Sequence, residues 1–130
     1  MSLQALEQTA KALVRRGKGI LAADESNATM SKRLESVGVV PSEETRRSYR
    51  SAMLSTPGLE DNISGVILFD ETIRQRMDDG TLFPEHLNRR GIIPGIKVDT
   101  GAKPLAGHPN ETVTEGLDGL RAVSYTHLRA

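Results

Sequence analysis

The chain has 130 residues, no cysteine and no tryptophan, and its 17 basic and 17 acidic residues balance. That excludes a disulfide framework and any thiolate metal centre, and leaves no global field to favour nucleic acid or an anionic membrane. Apolar residues make up 37% and aromatics 3%, a thin supply of large core residues for an independent domain. No apolar run approaches the ~20 residues of a membrane span. The first nineteen residues mix polar and acidic groups among apolar ones, unlike a signal peptide. A soluble, cytoplasmic protein is expected. The three Asn-X-Ser/Thr sequons at Asn27, Asn62 and Asn110 then carry little meaning.

In chain order, Leu3, Leu6, Ala10, Leu13 and Val14 recur at helical spacing, predicting an amphipathic helix over 2–15 that Gly17 and Gly19 end. "ILAAD" follows as a short continuous apolar run, the pattern of a parallel strand covered on both faces. A helix is expected across "TMSKRLESVG", stopped by Gly38. Ser42 is a helix cap, with Glu43 and Glu44 in the first turn of a helix reaching about Leu54. "ISGVILF", Ile63 to Phe69, is the second strand; "RQRMDDG" is expected to continue as a turn or two of helix. Phe83 to Arg90 predicts another short helix, and "IIPGIKVDTG" the third strand, its Pro94 tolerable near the start or at an irregularity. Thr112 with Glu115 has capping-box spacing, predicting a last helix with Val113, Leu117 and Leu120 on one face, weakened by Gly116 and Gly119.

Strands alternating with helices indicate a parallel sheet in an α/β fold, and in open sheets and (β/α)8 barrels alike ligands bind at the carboxyl ends of the strands. Here those ends are polar: Asp24-Glu25-Ser26, Asp70-Glu71-Thr72 and Lys97-Val98-Asp99. Parallel strands would gather them on one rim. Asp24 and Lys97 have the chemistry to orient hydroxyls and bind a phosphate, or to form an ion pair closing the top of a sheet. Ser26 and Thr29 are hydroxyls beside a helix start, suited to phosphate binding or to capping. Lys32-Arg33 and Arg46-Arg47 have the pattern of solvated helix faces, and Met30, Met53 and Met77 that of gap-filling core residues. Gly17-Lys18-Gly19-Ile20-Leu21-Ala22 matches G-x-G-x-x-A, but the glycines precede a strand instead of following one, so no dinucleotide site is expected. His86, His108 and His127 have no metal-ligand spacing.

The segments "GKGILAADES", "SKRLESVGV", "EETRRSYR", "GVILFDETI", "DDGTLFP", "PGIKVDTG", "PLAG" and "ETVTEGLDGL" together resemble the N-terminal part of class I fructose-1,6-bisphosphate aldolases, in order and spacing, over about residues 3–121. The resemblance implies the first three βα units, truncated, of a (β/α)8 TIM barrel. It implies reversible cleavage of fructose 1,6-bisphosphate to dihydroxyacetone phosphate and glyceraldehyde 3-phosphate through a lysine Schiff base, with no metal or other cofactor. Carried onto this chain, Asp24 matches the strand-one aspartate beside the substrate's C4 hydroxyl, and Lys97 the strand-three lysine of that site. Ser26 and Thr29 match hydroxyls near one phosphate, with Thr29 standing where serine is common. Arg33 and Arg46 match phosphate-holding arginines.

A complete barrel needs roughly 200–250 residues, so the family's Schiff-base lysine and its glutamate acid/base pair are expected on strands beyond these three. The chain alone is therefore expected to be inactive, with a homotetramer as the full-length parent. Residues 122–130 depart from the family pattern and are expected to be a non-family tail. The alternative function is a non-catalytic sugar-phosphate-binding or subunit-interaction module.

Overall fold

The computed structural model describes residues 2–116 and 118–119. Leu117, Leu120 and the tail at 122–130 lie outside the described residues. Helix α1 (Leu3–Leu13) leads to β1 (Gly19–Ala23), followed by α2 (Asn27–Ser36), α3 (Glu43–Leu54) and a single-turn α4 (Leu59–Asn62). Strand β2 (Ile63–Leu68), single-turn α5 (Asp70–Ile73), α6 (Phe83–Arg89) and β3 (Ile93–Ile96) come next, and β4 (Gly101–Leu105) with β5 (His108–Glu115) complete the order.

Strands β1, β2 and β3 form one parallel sheet in that order, with β2 central. The register slips between Gly19 and Ile20, leaving Ser64 at the irregularity. Buried Ser64 donates its hydroxyl to the Leu13 carbonyl at 2.5 Å, with the Gly19 carbonyl also in reach at 3.1 Å, tying α1 to the start of the sheet.

The core lies on one sheet face, where Ala23, Val66 and Leu68 meet Leu54, Ile73, Met77, Phe83, Leu87 and Ile92. Met30 and Met77 are buried, and Met53 packs against the core, as gap-filling residues do. On the other face Leu13 and Thr9 of α1 border an apolar hollow with Ile20, Ile67, Ile93 and Gly95. No residue of α1 is buried.

Two terminators aim the strands. After α3, Arg90 donates to the carbonyls of Leu54 and Thr56, both at 2.7 Å, and pairs with Glu60, so the helix end and α4 are held together. After α6, Gly91 takes φ +68°, while Gly91 N–H donates to Asn88 and Ile92 N–H to Leu87. This Schellman arrangement buries Ile92 against Leu87 and turns the chain into β3.

Two expectations fail. "RQRMDDG" is not helical: the helix is confined to α5, Arg76 forms an isolated bridge with Leu82, and a turn spans Met77 to Gly80. Asp79 accepts from the Thr81 N–H at 2.8 Å, so its carboxylate closes a local turn in competition with the helix. Thr112–Glu115 is strand, not helix: β5 pairs antiparallel with β4, Lys103 opposite Val113. The β-branched run Thr112-Val113-Thr114 and the Ala106-Gly107 turn outweigh a two-residue capping pattern.

Candidate functional site

Because all three sheet strands run the same way, their C-terminal ends share one rim. A cleft of roughly 670 Å³ opens there, bordered by Asp24, Glu25, Ser26, Thr29, Arg33, Phe69, Lys97, Asp99 and Thr100 among others. Five of the six residues singled out from sequence therefore meet in one place.

Asp24 follows β1 directly. Lys97 follows β3, and its backbone N–H still donates to the Leu68 carbonyl at 2.9 Å, so the ladder fixes where its side chain begins. The Lys97 Nζ reaches an Asp24 carboxylate oxygen at 3.4 Å and an Asp99 oxygen at 2.6 Å. Lys97 and Asp24 are about a quarter exposed, at 26% and 23%. The hydrogen bond from Lys97 holds the Asp99 carboxyl below its usual range, while bonding to Asp99, with Asp24 adding to it, raises the Lys97 ammonium above its own. A lysine so placed stays charged.

Asp99 is set by the hairpin. Its second oxygen accepts from the Gly101 N–H at 3.0 Å, and the Thr100 N–H donates to the Glu115 carbonyl at 2.7 Å. At the end of β5, Gly116 passes so close that a Cβ there would stand 2.7 Å from the Val98 carbonyl oxygen and 2.8 Å from the Asp99 Cα. Glycine is the residue this crossing admits.

Ser26 caps α2. Its Oγ accepts from the Thr29 N–H at 3.3 Å and lies 3.1 Å from the Thr29 hydroxyl, so both oxygens sit at the helix start beside the cleft. The capping and anion-binding readings thus coexist. Arg33, in the last turn of α2, faces the same cleft and is paired with Glu25.

Arg46 is not brought to the cleft. Its guanidinium binds Glu71 in two-pronged fashion, at 2.9 and 2.7 Å, with Ser31 at 3.4 Å. Neither Arg46 nor Arg47 belongs to a solvated helix face: Arg46 is mostly buried, and Arg47 is held by Glu44 and Asp78. The bond from Arg46 holds the Glu71 carboxyl low, and Asn27 adds a further donor at 2.9 Å.

One helical turn beyond Arg46, Arg50 is wholly buried. It donates to the Glu25 carbonyl at 2.6 Å and lies 3.9 and 4.0 Å from the carboxylates of Glu25 and Glu71. Burial lowers its affinity for the proton, against the pull of those two carboxylates. Sequence reasoning placed Glu25, Glu71 and Asp99 on the polar strand ends without giving each a role, and it missed Arg50. The spacing of Arg46 and Arg50 by four, which stacks them on one face of α3, was a signal for Arg50.

A family model described as fructose-bisphosphate aldolase class-I matches residues 5–129. A probable fructose-bisphosphate aldolase class 1 of Xanthomonas axonopodis pv. citri is 62% identical over 122 residues, covering 94% of this chain and 36% of the relative. The fructose-bisphosphate aldolase of Schistosoma mansoni is 56% identical over 126 residues, covering 95% and 35% respectively. Among solved structures, the Plasmodium falciparum aldolase in complex with TRAP and a small-molecule inhibitor superposes with a TM-score of 0.90 at 42% identity, over 97% of this chain and 36% of that one. The chain spans about a third of the length of these relatives.

Proposed function

The chain belongs to the class I fructose-bisphosphate aldolase family, and from that premise we propose that its cleft is the sugar-phosphate end of an aldolase active site. The reaction is reversible cleavage of fructose 1,6-bisphosphate to dihydroxyacetone phosphate and glyceraldehyde 3-phosphate. The observation that carries this reading is the Lys97–Asp24 pair at 3.4 Å on the rim of a parallel sheet.

Asp24 accepts a hydrogen bond from the hydroxyl beside the bond that breaks. Lys97, held charged by two carboxylates, stabilises negative charge near that oxygen. A protonated lysine is no nucleophile, so Lys97 is not the imine-forming residue. Ser26, Thr29 and Arg33 take a phosphate at the start and side of α2. Arg46 supports the site from α3 through Glu71 without touching substrate.

In this reading β1–β3 are the first strands of a (β/α)8 barrel, and the imine lysine and acid/base carboxylates come from later strands. The 130 residues by themselves then bind but do not turn over. The reading includes a cytoplasmic location and a homotetrameric full-length enzyme. No described helix is long and apolar enough to cross a membrane.

Calorimetric titration of this chain with fructose 1,6-bisphosphate, alongside a cleavage assay with borohydride trapping, tests it. Binding that falls at least about tenfold in Lys97→Ala, with no turnover, is expected. Absence of binding overturns the substrate assignment, and an imine trapped on Lys97 overturns its role.

A further inference from the structure

The cleft lining carries three carboxylates, Asp24, Glu25 and Asp99, against two cations, Arg33 and Lys97. A pocket for a dianion is not expected to be acidic. Both cations are already engaged, Lys97 by Asp99 and Asp24, and Arg33 by Glu25. An arriving phosphate must compete for whichever cation it takes.

The two engagements differ in strength. Lys97 sits between two carboxylates and is about three-quarters buried. Arg33 has one carboxylate partner and is 61% exposed, the kind of ion pair that contributes little in water. Arg33 is the cation that gives way. A phosphate dianion offers its guanidinium a two-pronged, doubly charged partner in place of one carboxylate oxygen.

Glu25 is built to wait there. Arg50 grips its backbone carbonyl at 2.6 Å and balances its charge from below at 3.9 Å. One carboxylate oxygen, Oε2, is buried without a hydrogen-bond partner, and the other accepts from Arg33. When Arg33 leaves, Arg50 remains beside the carboxylate, so Glu25 is not stranded as an uncompensated buried charge.

We infer that Glu25 is a positioning and specificity residue: it holds Arg33 at the cleft wall and competes with the ligand phosphate for it. The inference rests on the sugar-phosphate reading of the cleft. A dianionic phosphoryl group displaces Glu25, whereas a ligand with a single negative charge or none does not repay the exchange. Glu25 therefore lowers absolute affinity and raises discrimination.

The test is calorimetric titration of the 130-residue chain with fructose 1,6-bisphosphate and with inorganic phosphate. Wild type, Glu25→Gln, Glu25→Asp, Arg33→Ala and the Glu25→Gln/Arg33→Ala double variant are compared, each checked by circular dichroism. Glu25→Gln is expected to bind the bisphosphate roughly two- to fivefold more tightly, the affinity equivalent of an exposed ion pair. Glu25→Asp, which keeps a charge near Arg50 but draws it back from Arg33, is expected to shift in the same direction. Both gains are expected for inorganic phosphate too, and the Glu25→Gln gain disappears in the Arg33→Ala background. A residue that merely supports the fold would weaken binding on replacement. If wild type binds and Arg33→Ala weakens it, but neither Glu25 variant tightens it, the inference is overturned and the sugar-phosphate reading stands. If no form binds, both fall together.

Discussion

The Lys97 ammonium stands 3.4 Å from an Asp24 carboxylate oxygen although β2 runs between the strands that carry them. The contact spans the whole width of the parallel sheet at its C-terminal edge. A long side chain on one outer strand and a short one on the other make that reach possible, and Phe69, following the central strand, lines the same cleft.

The pairing of Lys97 with Asp99 gives the site a pH signature in stability. Asp99 is held below its ordinary value of 3.8, so its contribution is full above that value and is lost as pH falls through the depressed one. Lys97 is raised above 10.5, so its contribution is full below that value and is lost as pH rises through the raised one. Asp99→Asn is expected to lower the urea midpoint across the neutral range, with the gap to wild type closing toward acid. A gap independent of pH would show that the pair is not its source.

Arg46 works through Glu71, and its planar fork is what Glu71 receives. Lysine at 46 keeps the charge and loses one prong, with an expected cost of about 1–2 kcal/mol; Arg46→Ala leaves Glu71 with Asn27 and the more distant Arg50 and costs about 3 kcal/mol. Chemical denaturation at neutral pH measures both. Glu71 is held low by Arg46, so the stability it supplies is present above 4.5 and fades as pH drops through its depressed value.

Gly116 has no room for a methyl group, since a Cβ would meet the Val98 carbonyl oxygen at 2.7 Å. Gly116→Ala is expected to cost roughly 1–3 kcal/mol and to push Asp99 away from Lys97. A lowered melting temperature together with weakened bisphosphate binding is the expected pair of results. Unchanged binding would separate the crossing from the site.

Phe83 is fully buried at the centre of the helix-covered core, whereas Val113 on β5 is 43% exposed. Phe83→Ala is expected to cost about 3–5 kcal/mol, and Val113→Ala to stay within ~0.5 kcal/mol. Comparing their denaturation midpoints checks that the helix-covered core carries the fold and the β4–β5 hairpin does not.

The strand ends were legible in the sequence because a continuous apolar run that stops on Asp24, or on Lys97, marks where a covered strand meets a polar rim. The helix over Glu43–Leu54 was equally readable: Ser42 closes a capping box with Thr45, and both acids stand in the first turn. The β4–β5 hairpin was not, since Thr112 and Glu115 carry the spacing of a helix start while the pairing that makes them strand comes from β4. The positions of Arg46 and Arg50 were hidden for a related reason. An arginine on a polar helix looks solvated until the carboxylates it meets, 21 and more residues away in Glu71 and Glu25, are folded onto it.

Among the described residues neither hairpin strand pairs with the parallel sheet, and every residue of β5 is exposed. A two-stranded ribbon has little stability of its own. Amide protons along β4 and β5 should therefore trade with solvent long before those of β2, and Asp99 shares the fate of the ribbon that sets it. The cleft thus has two clocks: a slow wall carrying Asp24 and Ser26 on the sheet and α2, and a fast wall carrying Asp99, which opens many times for each opening of the core.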